Sequence, residues 1–323
     1  MKIRRYRAAF VACGSIVAIA GMLCAQDVPG SEPQSVDGTH AKGQSERPGA
    51  REVIPHRTNP HEAGAPTAGS IGVITPDIMF HGGPVIGTPT VYVIWYGNWN
   101  QSNGSDTAGG QQIVRDFLNG LSGSPYYVTN HSYAGVSGNF TVGQEYTDSY
   151  SQGKRLSDSR VHAVVTNAIN GHLPNNPNGI YFVLTSSDVS ESSGFCSRYC
   201  GWHTDGIISG SDIKYAFVGN AYRCLSGCAA QTVGPNGNVG VDGMVSVIAH
   251  ELEETNTDPD LNAWYDSNGS EDADKCAWTF GSNQKTASNG AYYNMTLNGR
   301  NFLVQRELGV NSKCYVDYVT KTQ

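Results

Sequence analysis

The sequence predicts an α+β fold, with a mixed β-sheet and flanking helices. Three short runs, 90–96, 179–185 and 214–219, are rich in β-branched and aromatic residues and have the length of buried strands. Between these runs, residues 111–121 and 161–169 carry apolar side chains at the spacing of amphipathic helices. The sequence shows no internal repeat, and its length allows one cored domain.

A longer helix is predicted after Asp242, whose carboxylate can cap the helix N-terminus. Its apolar positions are Met244, Val245, Val247, Ile248 and Leu252. The helix should end near Thr257, because Pro259 disfavours helical geometry in the residue before it. Further on, residues 290–297 and 300–308 are predicted to form a hairpin around an Asn-Gly turn, a dipeptide typical of tight β-turns.

The N-terminal region indicates export. A basic start and an apolar run are typical of a secretory signal peptide in residues 1–25, although Cys24 leaves a lipoprotein anchor open. Residues 26–70 almost lack large apolar side chains and are predicted to be a disordered linker or pro-region, with the folded domain in 71–323. We therefore expect a secreted, extracellular protein that has no membrane segment after signal removal. A net charge of −7, without a basic cluster beyond the signal, argues against nucleic acid as a partner.

Six cysteines follow the signal peptide, and an even number in an exported chain indicates disulfides. They are Cys196, Cys200, Cys224, Cys228, Cys276 and Cys314. Their order suggests three local bridges, Cys196–Cys200, Cys224–Cys228 and Cys276–Cys314, among about fifteen possible connectivities. Alternatively, Cys196 and Cys200 could hold a structural zinc ion together with His203.

The strongest chemical signal lies on the helix after Asp242. His250 and Glu254 are four residues apart, so they share a helix face and could bind one metal ion. Glu251, beside them, could take a proton from a metal-bound water. The segment carries no Lys or Arg among nine carboxylates, which repel one another unless they are solvated or neutralised by a cation. These carboxylates are Glu251, Glu253, Glu254, Asp258, Asp260, Asp266, Glu271, Asp272 and Asp274. A plain hydrogen-bonded His250–Glu254 pair stays open, and Glu253 is expected on a solvated face.

Several sequence blocks between residues 78 and 316 are distinctive. They are residues 81–85 (HGGPV), 91–99 (VYVIWYGNW), 183–189 (VLTSSDV), 195–203, 218–220, 235–244 (PNGNVGVDGM) and 298–300 (NGR). Together, and in this order, they resemble the phosphate-induced protein 1 family, also called exordium-like proteins. The resemblance implies an extracellular or cell-wall-associated protein, linked in plants to growth and without an established enzymatic activity.

The segment from His250 to Cys276 resembles microbial members of that family with a metallopeptidase signature. Its spacing is also similar to that of gluzincin peptidases, in which the third metal ligand is a glutamate on a following segment. The resemblance implies a zincin-like active-site helix, with Glu271 as the third ligand and Asp274 as the residue that orients His250. Glu251 would then be the general base.

Other side chains could complete this site. Asp258, Asp266 and His203 are reserve ligands, and His81 is a further candidate imidazole. A single imidazole with two carboxylates acidifies bound water less than histidine ligands do, and weakens the preference for zinc over manganese or calcium. Residues 266–271 are also rich in oxygen ligands, so a structural calcium ion is the main rival, although their spacing does not fit an EF-hand.

The sequence therefore supports two hypotheses for function. In the first, the protein is a secreted zinc metallopeptidase, and Glu251 activates a metal-bound water that hydrolyses a peptide or protein substrate. In the second, it is a non-catalytic extracellular protein with a structural metal site that binds cell-wall carbohydrate or another partner. Trp95 is predicted to pack in the core, whereas Trp99 and Trp202 could stack on sugars.

Overall fold

The computed structural model describes residues 76–318 and, upstream of them, the backbone of Glu52–Pro55. The predicted signal peptide and most of the predicted linker or pro-region lie outside the described residues. The described chain is a mixed α+β structure with several sheets, as predicted.

The helices are α1 Ala108–Leu121, α2 Asp158–Gly171, α3 Leu225–Cys228 and α4 Val239–Thr257, with 3-10 turns at Tyr127–Ser132, Ala221–Cys224 and Asp274–Cys276. The strands are β1 Glu52–Pro55, β2 Met79–Phe80, β3 Thr90–Tyr96, β4 Thr141–Asp148, β5 Arg155–Leu156, β6 Gly179–Thr185, β7 Ser190–Glu191, β8 Tyr199–Ile208, β9 Ser211–Gly219, β10 Trp264–Tyr265, β11 Lys285–Thr286, β12 Tyr292–Tyr293, β13 Met295–Leu297, β14 Arg300–Phe302, β15 Glu307–Gly309 and β16 Lys313–Tyr315.

The largest sheet has six strands in the order β1-β8-β9-β6-β3-β4. Strand β3 is parallel to β4 and β6, and β6 is parallel to β9. Strands β8 and β1 extend the sheet in antiparallel fashion beyond β9. The central strands β3 and β6 are buried on both faces, which is why their sequences are continuous apolar runs. The predicted strand at 214–219 is confirmed as the end of β9.

Helices cover both faces of this sheet. A Cβ atom at Gly201 of β8 would lie 2.6 Å from Val247 of α4, so only glycine allows this close approach. A Cβ atom at Gly206 of the same strand would instead face His162 of α2, at 3.3 Å. Because successive strand residues point to opposite faces, α4 and α2 lie on opposite sides of the sheet. Helix α1 packs against α4, with Gly110 facing Val241.

Helix α4 begins earlier than expected. Its N-cap is Asn238, whose side chain accepts a hydrogen bond from the backbone N–H of Val241. The prediction that Asp242 caps the helix is therefore wrong. Asp242 lies in the first turn, where its carboxylate accepts hydrogen bonds from the backbone and side chain of Asn236. The predicted end at Thr257 is confirmed.

The C-terminal hairpin forms at the expected turn but with shorter strands. Strands β13 and β14 pair across Asn298 and Gly299, whose φ angles of 46° and 75° are those of a type I′ turn. The flanking residues pair elsewhere, in the small sheets β11–β12 and β15–β16. Phe302 of the hairpin packs edge-on against Phe117 of α1, which fixes the hairpin to the main core.

Three disulfides join the described residues, and the predicted Cys276–Cys314 bridge is confirmed. The other two predicted pairings are wrong. The structure instead pairs Cys196 with Cys224 and Cys200 with Cys228, with Cα–Cα distances of 5.6 and 5.4 Å. The reason is tertiary packing, which places β8 and the turn before it against the helical segment 221–228 that precedes α4. Because Cys196 and Cys200 are oxidised, they cannot be thiolate ligands of a structural zinc ion.

Candidate metal centre

Helix α4 carries His250, Glu251 and Glu254 into the protein interior. Every α4 residue from Gly240 to Thr257 is buried, so the helix is covered on all sides. The expectation that Glu253 lies on a solvated face is wrong, because Glu253 is fully buried. The 3-10 turn that begins at Tyr127 packs against α4, and Tyr127 lies within electrostatic range of Glu253.

Strand β8 places His203 against α4. The imidazole of His203 is fully buried, and its Nε2 atom lies 3.8 Å from Glu254 Oε2 and 3.1 Å from Glu271 Oε2. This reserve candidate therefore lies at the centre of the predicted site. The other candidate imidazole, His81, instead stacks on the ring of Tyr265 at 3.6 Å.

His250 faces the second oxygen of the same glutamate. Its Nε2 atom lies 2.9 Å from Glu254 Oε1 and 3.6 Å from Asp274 Oδ1. The backbone N–H of Asp274 also donates a 2.9 Å hydrogen bond to Glu254 Oε1. Ligand atoms of His203, Glu251 and Glu254 all lie within 4.8 Å of one another, and so do those of His250, Glu254 and Asp274. Glu254 thus lies between two imidazoles. We call His203, His250, Glu251, Glu254, Glu271 and Asp274 the buried cluster.

The two reserve aspartates have other partners. Asp258 caps the C-terminus of α4, and its Oδ1 atom accepts the backbone N–H groups of Asn262 and Ala263 at 2.6 and 2.5 Å. Asp266 forms an ion pair with Lys275. The hydrogen bond to Lys275 lowers the pKa of Asp266, although burial acts in the opposite direction and is the larger single influence. The carboxylate on which a calcium loop at 266–271 would depend is therefore already neutralised.

Seven carboxylic side chains in and around the buried cluster are fully buried. They are Glu251, Glu253, Glu254, Asp258, Glu271, Asp272 and Glu307. Burial raises the pKa of Asp272 to about 6, that of Asp258 to about 7 and that of Glu254 to about 8. Burial, followed by repulsion from Asp272, raises the pKa of Glu253 and Glu307 well above the ordinary range. Without a cation, several of these groups hold protons near neutral pH.

The two imidazoles differ in their protonation. Burial, with repulsion from His250, lowers the pKa of His203 to about 3, so this ring is neutral and keeps a lone pair for a ligand. Burial also acts to lower the pKa of His250. The charge of Glu254 and the contact with Asp274 outweigh burial and raise the pKa of His250 well above its ordinary value. The His250–Glu254 pair therefore holds a proton that a metal ion would displace.

Glu307 is the buried carboxylate that sequence analysis missed. It lies on β15 and joins the acidic groups around Asp272 and Glu253. It is distant from α4 in sequence, and its only signal is a charged pair with Arg306 in a stretch that contains the apolar residues Leu303, Val304 and Leu308. Asp272 accepts a 2.8 Å hydrogen bond from the Thr257 hydroxyl, which ties the acidic segment to the end of α4.

The surface features that could bind a sugar lie apart from the buried cluster. A pocket of about 410 Å³ is lined by Tyr126, Arg306 and Tyr315, among others, and by no residue of the cluster. Trp95 packs in the core, as predicted. Trp99 and Trp202 are buried as well, so neither ring is available to stack on a sugar.

Comparisons with known proteins agree with the sequence blocks. Protein EXORDIUM-like 3 of Arabidopsis thaliana is 32% identical over 280 residues, which cover 75% of this chain and 80% of that protein. Protein EXORDIUM-like 5 of the same plant is 33% identical over 276 residues, 71% of this chain and 74% of that protein. Protein PHOSPHATE-INDUCED 1 of Nicotiana tabacum is 29% identical over 223 residues, 58% of this chain and 67% of that protein.

No solved structure matches the chain. Within the part of the chain that the structure describes, no helix has the length and apolar character needed to cross a bilayer. The family model described as "Phosphate-induced protein 1 conserved region" matches residues 78–316, which include all of the buried cluster. The chain belongs to the phosphate-induced protein 1 family, whose members include the exordium proteins.

Proposed function

We propose that this protein is a secreted, extracellular member of its family, built around a buried divalent-cation centre with a structural role. The candidate ligands form two groups that share Glu254, namely His203 with Glu251 and His250 with Asp274. The observation that carries the proposal is that the donor atoms within each group lie within 4.8 Å of one another and that Glu254 and both imidazoles are fully buried. Secretion is supported by the signal-peptide pattern in residues 1–25 and by three disulfides, which persist in oxidising compartments.

The donor atoms fit zinc. Ligands about 2.0–2.1 Å from a tetrahedral zinc ion lie about 3.3 Å from one another. The four contacts made by the two imidazoles measure 2.9, 3.1, 3.6 and 3.8 Å, which brackets that separation. Each of the two groups supplies one imidazole, a ligand that suits zinc better than manganese or calcium. Glu271 and Asp274 contact the same Nε2 atoms that face Glu254, so they are further candidate ligands and do not orient the rings through the other nitrogen.

The charge balance also favours a cation. Within ion-pair distance of Glu254, the described residues offer two histidines and no lysine or arginine. Buried carboxylates without a counter-charge must take up protons or bind a cation. A divalent ion would displace the shared proton of the His250–Glu254 pair and leave the carboxylates ionised.

Complete burial favours a structural role. His203, His250, Glu251 and Glu254 are all 0% exposed, and the 410 Å³ pocket does not reach them. Structural zinc sites are closed, whereas catalytic sites keep an open position for water and substrate. The names of the relatives state no reaction.

Metal analysis of the purified full-length protein tests this proposal. We expect about one zinc ion per chain. Glu254→Gln, which removes the residue shared by both groups, should lose it, with more than about a hundredfold loss of affinity, since removing even an outer-shell partner costs about 10–100-fold. His172→Ala is the matched control, because His172 is exposed and stacks on Tyr146, away from the cluster. Equal metal content in the two variants would refute the proposed ligand set.

A second candidate function, peptide hydrolysis, is favoured by the position of Glu251. Its carboxylate reaches within 4.8 Å of ligand atoms of both His203 and Glu254. Helix α4 also lies behind strand β8, an arrangement that suits a zincin-like active-site helix. A bound zinc ion would supply Lewis-acid activation of water. Glu251 would accept the proton of that water and pass it to the leaving amine, once the site opens to substrate.

The substitution Glu251→Gln separates the two candidates. If the protein is a peptidase, this variant should keep its zinc and lose about 10²- to 10⁴-fold in kcat on casein. Glu145→Gln, at the opposite edge of the sheet, should keep full activity. If the unsubstituted protein binds zinc but hydrolyses neither casein nor a peptide library, the peptidase function is refuted and the structural role remains.

A further inference from the structure

The outer edge of strand β8 pairs with β1, a short strand from the upstream segment of the chain. Without β1, β8 would be the edge of the six-stranded sheet. Strand β1 has four residues and runs antiparallel to β8, with Glu52 opposite His203 and Ile54 opposite Gly201. An edge strand presents a row of backbone N–H and C=O groups that can pair with an extended chain.

The stretch of β8 that pairs with β1 is the stretch that faces the buried cluster. His203 belongs to the cluster, and Gly201 lies two residues away on the same face of the strand. An ideal Cβ atom at Gly201 would lie 2.8 Å from Glu251 Oε1, so α4 contacts the strand at this point. A chain in the position of β1 therefore runs beside His203 at the spacing of neighbouring strands, about 4.8 Å.

Strand β1 is short, and its pairing with β8 is irregular at one end. Pro55 has no N–H group to donate, and the register shifts between Ile54 and Pro55. In sequence, residues 56–75 separate β1 from the rest of the described chain. Covalent attachment raises the local concentration of such a segment, so it can occupy an edge for which its intrinsic affinity is low.

We propose that the outer edge of β8 is a binding site for an extended peptide, and that Glu52–Pro55 is the chain's own occupant of that site. A partner peptide replaces β1, lies antiparallel to β8 and is held by main-chain hydrogen bonds. The site goes beyond the metal centre and does not depend on whether an ion is bound. It does place the peptide backbone next to His203, so peptide binding and the cluster share one strand.

The test uses the full chain with Val53→Pro and Ile54→Pro together. Consecutive strand residues direct their N–H groups to opposite sides, so one of these two donors faces β8 and the double substitution removes it. We expect the variant to bind a fluorescein-labelled peptide with the sequence of residues 50–57 at least about tenfold more tightly than the unsubstituted chain, by fluorescence anisotropy. The matched control is Thr67→Pro with Ala68→Pro, which adds two prolines outside β1 and should bind like the unsubstituted chain.

Two results would overturn the proposal. The first is a double variant with unchanged metal content and unfolding midpoint that does not bind the peptide. The second comes from hydrogen exchange in the unsubstituted chain. This experiment can be carried out even if the double variant fails to fold. The β8 amides that face β1 should exchange at least about 100-fold faster than those that face β9, because an exchangeable occupant opens locally. Equal protection of both sets would make β1 a fixed strand of the sheet.

Discussion

Chelation of the proposed zinc ion should lower the free energy of unfolding by about 4 kcal/mol, relative to protein in free zinc at about 1,000 times its dissociation constant. The physical reason is charge balance. Seven carboxylic groups are fully buried in and around the cluster, and a divalent ion would lower the cost of keeping them ionised. Urea unfolding in zinc and in EDTA, followed by tryptophan fluorescence, measures the difference.

Two substitutions make this result specific. Glu254→Gln removes the carboxylate that both imidazoles contact, so its unfolding midpoint should be the same in zinc and in EDTA. Glu145→Gln removes a carboxylate that pairs with Arg115 far from the cluster, and it should keep the full zinc effect. An unchanged midpoint in protein shown to have lost its metal would rule out a structural role for the ion.

The free energy of unfolding should also depend on pH, and the direction of this dependence should differ between EDTA and zinc. In the folded, metal-free protein the pKa of Asp272 is about 6 and that of Asp258 is about 7, against about 3.9 in an unfolded chain. A carboxyl group with a raised pKa stabilises the folded state below its unfolded pKa and loses that contribution as pH rises through the folded pKa. Stability in EDTA should therefore fall between about pH 4 and pH 7. In zinc it should rise over the same range, because protons and the ion compete for the cluster.

Loss of both neighbouring disulfides, Cys196–Cys224 and Cys200–Cys228, should lower the free energy of unfolding by about 6 kcal/mol. Each bridge closes a separation of 28 residues, worth about 3.6 kcal/mol in the chain-entropy account. The two loops nearly coincide, so once one bridge is present the second closes a ring of only about ten residues, worth about 2.7 kcal/mol. Each single loss should therefore cost about 2.7 kcal/mol, less than half of the double loss.

The remaining bridge is the internal control for this effect. Cys276–Cys314 spans 38 residues and shares no loop with the other two, so its loss should cost about 4 kcal/mol and add independently. Paired Cys→Ala substitutions and non-reducing urea unfolding give all of these values. Strictly additive losses for the two neighbouring bridges would contradict the shared-loop explanation.

Local sequence patterns predicted the central part of the fold because burial there is uniform. Strands β3 and β6 have the predicted bounds, since both of their faces are buried and no polar residue interrupts them. The end of α4 was set by Pro259, whereas its start depends on Asn238 and on a preceding turn that has no simple sequence signature. Strand β8 was missed because its sequence mixes glycine and polar residues with only two branched aliphatic ones.

Part of the candidate centre is local in sequence and part is not. The pairing of His250 with Glu254 follows from helical spacing alone, and the structure shows that contact. Glu271 and Asp274 do reach the same region, each against a different imidazole. The approach of His203 depends on strand order, and that of Glu307 on the docking of a C-terminal hairpin, so no spacing rule could predict either. The disulfide pairing failed for the same reason, because two cysteine pairs with equal separations are matched only by packing.

The two neighbouring disulfides also have a consequence for the order in which the protein matures. They tie β8, which carries His203, to the segment that leads into α4, which carries His250 and Glu254. In the reduced chain these donors must be gathered from separate parts of an unlinked backbone, at a greater cost in entropy. Oxidation of these cysteines should therefore precede binding of the proposed ion.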